Sequence, residues 1–152
     1  MAEPLQVNKS LLARMLAGDP ALDWASFTSE DWRLIVQRAI AGDVAPQLYF
    51  ALIKSGGMAY IPRREQKHLR AIYVSTRMKN EQSLCELERL AGLFEQAGIP
   101  VVALKGSCYA LTVYTDIGLR PMVDVDLLVP ASVLEEAMQI VWNSGYREVL
   151  PE

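Results

Sequence analysis

Two carboxylates spaced two residues apart, Asp124 and Asp126, interrupt the apolar run Met122-Val-Asp-Val-Asp-Leu-Leu-Val-Pro130. In a strand, the two-residue period would turn both acids to one face. Their Cα atoms would lie roughly 6.5 Å apart along the strand. At an effective dielectric of about 20, charges at that spacing repel by on the order of 2.5 kcal/mol. A shared cation relieves the repulsion, and oxygen donors suit magnesium better than zinc. Two solvated acids on an exposed strand face are the plainer alternative. The flanking Val123, Val125, Leu127, Leu128 and Val129 argue instead for a central, buried strand, where unpaired carboxylates are costly.

A second candidate element lies upstream. Ile99-Pro-Val-Val-Ala-Leu104 is a short β-branched run, read as a buried strand, and Lys105-Gly106-Ser107 follows at once. Gly106 permits a sharp turn and a close backbone approach to a ligand. Ser107 can cap the next helix and donate its hydroxyl, and the N–H groups at a helix start bind phosphate. Taken alone, a Gly-Ser at such a turn is ordinary capping. Arg120, four residues before Asp124, is within reach of a phosphate, although a solvated loop arginine satisfies the same spacing. A phosphate-binding turn and a two-carboxylate strand are together the parts of a phosphoryl or nucleotidyl transfer site. There, carboxylates hold one or two metals about 3.5–4 Å apart to align the attacking hydroxyl and the leaving pyrophosphate.

The elements that must position these groups change character along the chain. The region 1–95 reads as helical and the region 96–152 as strand–helix–strand. Asn8 or Ser10 caps a first helix through Leu16. Thr28 with Asp31 resembles a capping box at the start of a second, which ends at Gly42. A third runs from near Pro46 to Gly56. A long segment from Pro62 to Gly98 carries an apolar stripe of Leu69, Ile72, Leu84, Leu87, Leu90, Ala91 and Phe94. The stripe thins between Ser75 and Ser83, so one helix, a kink near Arg77 to Glu81, or two stacked helices all satisfy it. After Gly98 the expectation is a strand to Leu104, a helix from Cys108 to Tyr114, a loop over residues 115–121 and a strand from Val123 to Val129. A helix to Asn143 and a third strand from Tyr146 to Leu150 complete the pattern. The fold class is α+β, a helical region followed by a partial mixed sheet with flanking helices.

Composition bounds the function. The 152 residues carry a net charge of −3, which makes no electrostatic case for tight nucleic-acid binding, so a nucleic-acid partner is not indicated. Arg63, Arg64, Lys67 and Arg70 form a local basic cluster that reads as a solvated helix face. Cys85 and Cys108 supply neither a disulfide framework nor metal-ligand spacing and are expected to be buried thiols. A single histidine, His68, argues against zinc. With no secretory signal and no long apolar run, a soluble cytoplasmic protein is expected, without a membrane partner. Trp24, Trp32 and Tyr49 are expected to fill a core rather than face a partner.

Val102-Ala-Leu-Lys-Gly-Ser107, Leu111, Tyr114, Arg120 and Asp124-Val-Asp126-Leu-Leu-Val129 resemble the nucleotidyltransferase superfamily typified by DNA polymerase beta. More narrowly, they resemble a bacterial family of uncharacterised nucleotidyltransferases. The likeness covers about residues 28 to 150, with specific motifs from Leu104 to Val129. The nucleotidyltransferase toxins of bacterial toxin–antitoxin pairs share the Lys-Gly, Arg and Asp-x-Asp elements. The resemblance implies a nucleotidyltransferase-type sheet and transfer of a nucleoside monophosphate from a triphosphate to a hydroxyl acceptor of unknown identity. It implies that Asp124 and Asp126 are catalytic and bind Mg2+, that Gly106 and Ser107 hold the triphosphate, and that Lys105 and Arg120 neutralise its charge. The superfamily normally adds a third carboxylate on a later strand. Glu148 is the candidate within this chain; a truncated C-terminus or a non-catalytic nucleotide-binding or interaction module are the alternatives. The last strand reaches the terminus without a closing element, so truncation is expected. The acceptor, the nucleotide base and the oligomeric state are not encoded in these motifs.

Overall fold

The computed structural model describes residues 9–149. Helices α1 (Lys9–Leu16), α2 (Ser29–Ala41) and α3 (Ala45–Lys54) precede a long α4 (Arg63–Gln96). Then follow β1 (Val102–Leu104), α5 (Lys105–Thr112), β2 (Asp126–Leu128) and α6 (Leu134–Asn143). The α+β class with a partial sheet is as expected. The two strands pair antiparallel, with Leu104 opposite Asp126 and Val102 opposite Leu128.

Local chemistry sets the start of α2 and the end of α4. Thr28 caps α2: its hydroxyl accepts from Asp31 N–H, and the Asp31 carboxylate accepts from Thr28 N–H at 2.8 Å, a complete capping box. Gly98 stops α4 with φ +70°, a conformation that side chains resist. Ser10 lies inside α1 rather than capping it, and Asn8 falls outside the described residues.

Helix α4 is continuous over 34 residues, about 51 Å at 1.5 Å per residue. It joins two cores. Its first half contributes Leu69 to a cluster with Met15, Trp32, Ile35, Val36, Leu48 and Leu52, against which Trp24 and Tyr49 also pack. Its second half contributes Leu90 and Phe94 to a cluster with Ile99 and Ala137, and Leu127, Val129, Ile140 and Val141 pack around them. Each fully buried Leu or Phe contributes about 1.5–3 kcal/mol relative to exposure. Both ends of the helix are thus anchored, which a 34-residue helix needs because propensity alone gives it little stability. The thinned part of the stripe does not break the helix in two. There the helix turns Tyr73, Arg77 and Asn80 toward a loop described below.

Several expectations fail. The strands are three residues each, because among the described residues β1 and β2 have only one another as partners and their outer positions Val102 and Leu128 face solvent. Such a pair is marginal by itself and depends on the helices beneath it. No strand forms over residues 146–149, and Leu150 lies outside the described residues. Cys85 is exposed and Cys108 half-buried, so neither is a core thiol. Arg63, Arg64, Lys67 and Arg70 are all exposed, as a solvated face requires. Among the described residues, no helix is long and apolar enough to cross a membrane.

Candidate functional site

The strand-to-helix junction is tighter than the sequence suggests. Helix α5 begins at Lys105 rather than Cys108, so Lys105-Gly106-Ser107 is its first turn and Leu104 takes the N-cap position. Ser107 therefore does not cap. It is fully buried, and its hydroxyl donates to the Leu104 carbonyl at 3.0 Å. Lys105 adopts φ +47°, the left-handed region, which costs a non-glycine residue roughly 1–2 kcal/mol. Strain of this kind concentrates where geometry serves a ligand or a reaction. Gly106 is crossed by the following loop: a Cβ on it would meet the Met122 Cγ at 3.4 Å.

Because Leu104 is registered opposite Asp126, the next residue, Lys105, reaches back across the pair. Its Nζ lies 3.1 Å from Asp126 Oδ1. The Lys105 side chain is 72% exposed and that of Asp126 30%, so the ion pair contributes little to stability and is free to exchange partners. Asp124 departs from expectation. Strand pairing begins only at Asp126, Asp124 is exposed, and Val123 is 99% exposed. The period-two argument for a shared face therefore lacks its strand, and solvent rather than a counter-charge tolerates the Asp124 carboxylate. Chain connectivity still keeps Asp124 close: it lies two residues from Met122, which packs over Gly106, and two from Asp126, which holds Lys105.

Arg120 ends a loop that the sequence left without structure. A short 3-10 turn, Ile117–Leu119, lies against α4. Asp116 opens the turn by accepting from Gly118 N–H at 2.7 Å, and the Tyr73 hydroxyl donates to its other oxygen at 2.7 Å. Burial first, and the adjoining Asp116 carboxylate second, raise the Tyr73 pKa above the ordinary tyrosine value, so the phenol remains a donor. Arg77 Nη1 stands 3.9 Å from the same carboxylate. Asn80, 1% exposed, donates its amide to the carbonyls of Ile117 and Arg120. Arg120 is half-buried, its Nε is enclosed without an acceptor, and no carboxylate pairs with it among the described residues.

Tyr73, Asn80 and Asp116 were not singled out by the sequence. The available signal was the gap in the α4 stripe, which a polar contact fills. Glu148 is exposed after α6 and lines a separate apolar cavity of about 320 Å³ with Phe94, Leu127 and Trp142. No cluster of three or more His, Cys, Asp or Glu able to hold a metal occurs among the described residues. The site thus presents two acids, two cations and the first turn of a helix within one strand–helix–loop–strand unit. A family model described as "Uncharacterised nucleotidyltransferase" matches residues 28–151. No curated protein and no solved structure matches the chain.

Proposed function

Because the chain belongs to this nucleotidyltransferase family, we propose that it moves a nucleoside monophosphate from a triphosphate to a hydroxyl acceptor with the help of magnesium. The observation that carries the reading is the Lys105–Asp126 contact across the strand pair, which puts the first turn of α5 beside the Asp-x-Asp segment. Asp126 already receives a cationic group at this point, and Asp124 beside it is exposed. Magnesium is commonly bound by one or two carboxylates, with phosphate oxygens and water completing the shell. The two aspartates fit that requirement, and they would hold the ion. When bound, it would polarise the transferring phosphoryl group and favour departure of pyrophosphate.

The chain's own residues supply the rest. Gly106 lets the Met122 side chain close over the first turn of α5, whose N–H groups attract anions. Ser107 shapes this turn through Leu104. Lys105 would leave Asp126 for a phosphate oxygen when the ion takes its place, and Arg120 would add a second positive charge. In this reading residues 1–95 are the helical support and residues 96–152 carry the transfer site. A non-catalytic nucleotide-binding module is the second reading; it is motivated by Asp124 and Asp126 having no third His, Cys, Asp or Glu grouped with them among the described residues.

The test is calorimetry with magnesium and each nucleoside triphosphate on the wild type and on Asp124→Ala/Asp126→Ala. Magnesium-dependent binding is expected for the wild type and lost in the double variant; equal behaviour of the two would end the metal-site assignment. Mass spectrometry of candidate hydroxyl acceptors incubated with the four triphosphates then separates the readings, since a binding module adds no nucleotide mass.

A further inference from the structure

We propose that Asn80 is a positioning residue of the nucleotide site, holding from α4 the loop that carries Arg120 to the triphosphate. The inference rests on the nucleotidyltransferase reading above. Asn80 is 1% exposed, and its amide grips both ends of the 3-10 turn, the carbonyls of Ile117 and, at 2.6 Å, Arg120. Its own Oδ1 is buried without a donor. An interior helical position disfavours asparagine, and neither a carboxylate nor an aliphatic side chain offers two donors to two carbonyls. The choice of residue is therefore explained by the loop and not by the helix.

What the loop achieves is selective. Tyr73 and Arg77 engage Asp116, the acid nearest the turn, while Arg120 has no carboxylate partner among the described residues. Arg120 is held by its main chain, through Asn80, and its guanidinium charge stays available to an anion. Asn80 and the Asp116 contacts thus fix the arginine's position without neutralising it, which is what a phosphate-binding arginine requires.

The experiment is a double-mutant cycle on magnesium-dependent triphosphate affinity, with KM and kcat measured alongside where transfer is detected. Asn80→Asp keeps the shape and removes both donors; it is expected to weaken triphosphate binding roughly tenfold. In an Arg120→Ala background the same change should cost nothing further, because the loop then has no charge to deliver. Equal losses in both backgrounds, or wild-type affinity in Asn80→Asp, would overturn the proposal while leaving the nucleotidyltransferase reading standing. If Asn80→Asp does not fold, Tyr73→Phe replaces it. That change deletes only the hydroxyl bound to Asp116, and about a threefold loss confined to the Arg120 background is expected. A threefold loss in both backgrounds, or none, overturns the proposal equally. A wild-type protein that binds no triphosphate removes the underlying reading, and this inference with it.

Discussion

Replacing Gly118 by alanine tests directly whether the Arg120 loop is seated on the long helix. A Cβ at residue 118 would stand 2.7 Å from Tyr73 Cε2, 3.0 Å from Arg77 Cβ and 3.0 Å from Asp116 Oδ1. Carbon pairs prefer roughly 3.5–4.0 Å. None of the three neighbours moves easily. The Tyr73 ring is held by its 2.7 Å hydrogen bond to Asp116 and by stacking on Tyr49 at 5.1 Å. Arg77 Cβ is fixed to the helix backbone, and Asp116 Oδ1 already accepts Gly118 N–H. Overpacking of this kind costs about 1–3 kcal/mol. Alanine's smaller unfolded-state entropy offsets up to about 1 kcal/mol of it. A net loss of about 1–2 kcal/mol lowers Tm by roughly 2–8 °C in a chain of this size. Gly92→Ala is the matched control. It lies within α4 with nothing within 4 Å of an added Cβ, so it should gain about 0.8–1 kcal/mol of helix propensity. Its Tm should rise by roughly 2–4 °C. Thermal melts followed by circular dichroism read both. The same chemical change should give opposite signs, and a Gly118→Ala protein melting at or above the wild type would refute the docking of the loop on α4.

Two further outcomes are expected. The Arg89 guanidinium first, and the Tyr146 hydroxyl second, hold the Glu86 pKa down from 4.5 to about 2. A depressed carboxylate stabilises the fold above its unfolded value, so this contribution is full above pH 4.5 and fades as pH falls toward about 2. Urea midpoints measured across that window should fall more for the wild type than for Glu86→Gln; parallel curves would dismiss the linkage. Thr28→Ala removes the hydroxyl of the α2 capping box and should cost about 1 kcal/mol, read as a Tm lower by roughly 2–4 °C, and an unchanged melt would show that the cap contributes nothing.

The helices were legible because their signals are local. The apolar spacing around Trp32, Ile35 and Val36, the Thr28–Asp31 box and the glycine at residue 98 each act within a turn or two of chain. The α+β class was legible for the same reason, whereas the helix expected from Cys108 starts three residues earlier, at Lys105, and Ser107 does not cap it. Burial of the Asp124 strand was not. The valines and leucines beside Asp124 look like a central strand, but among the described residues only β1 pairs with this segment, strand geometry starts at Asp126 and Val123 stays in solvent. An apolar run states that a surface prefers burial; it does not state whether a neighbouring strand exists to bury it.

The polar contacts divide along the same line. The gap in the α4 stripe brackets Asn80 but does not name its acceptors, which lie 37 and 40 positions away at Ile117 and Arg120. Tyr73 meets Asp116 across 43 positions. Residue types and spacing determined which segments are helical, because periodicity, capping and φ preference are short-range. The tertiary structure alone decided that Asp126 faces Lys105 and that the buried Asn80 joins Tyr73 in holding the Arg120 loop. Those outcomes depend on distant chain segments meeting on the face of α4 or across the strand pair.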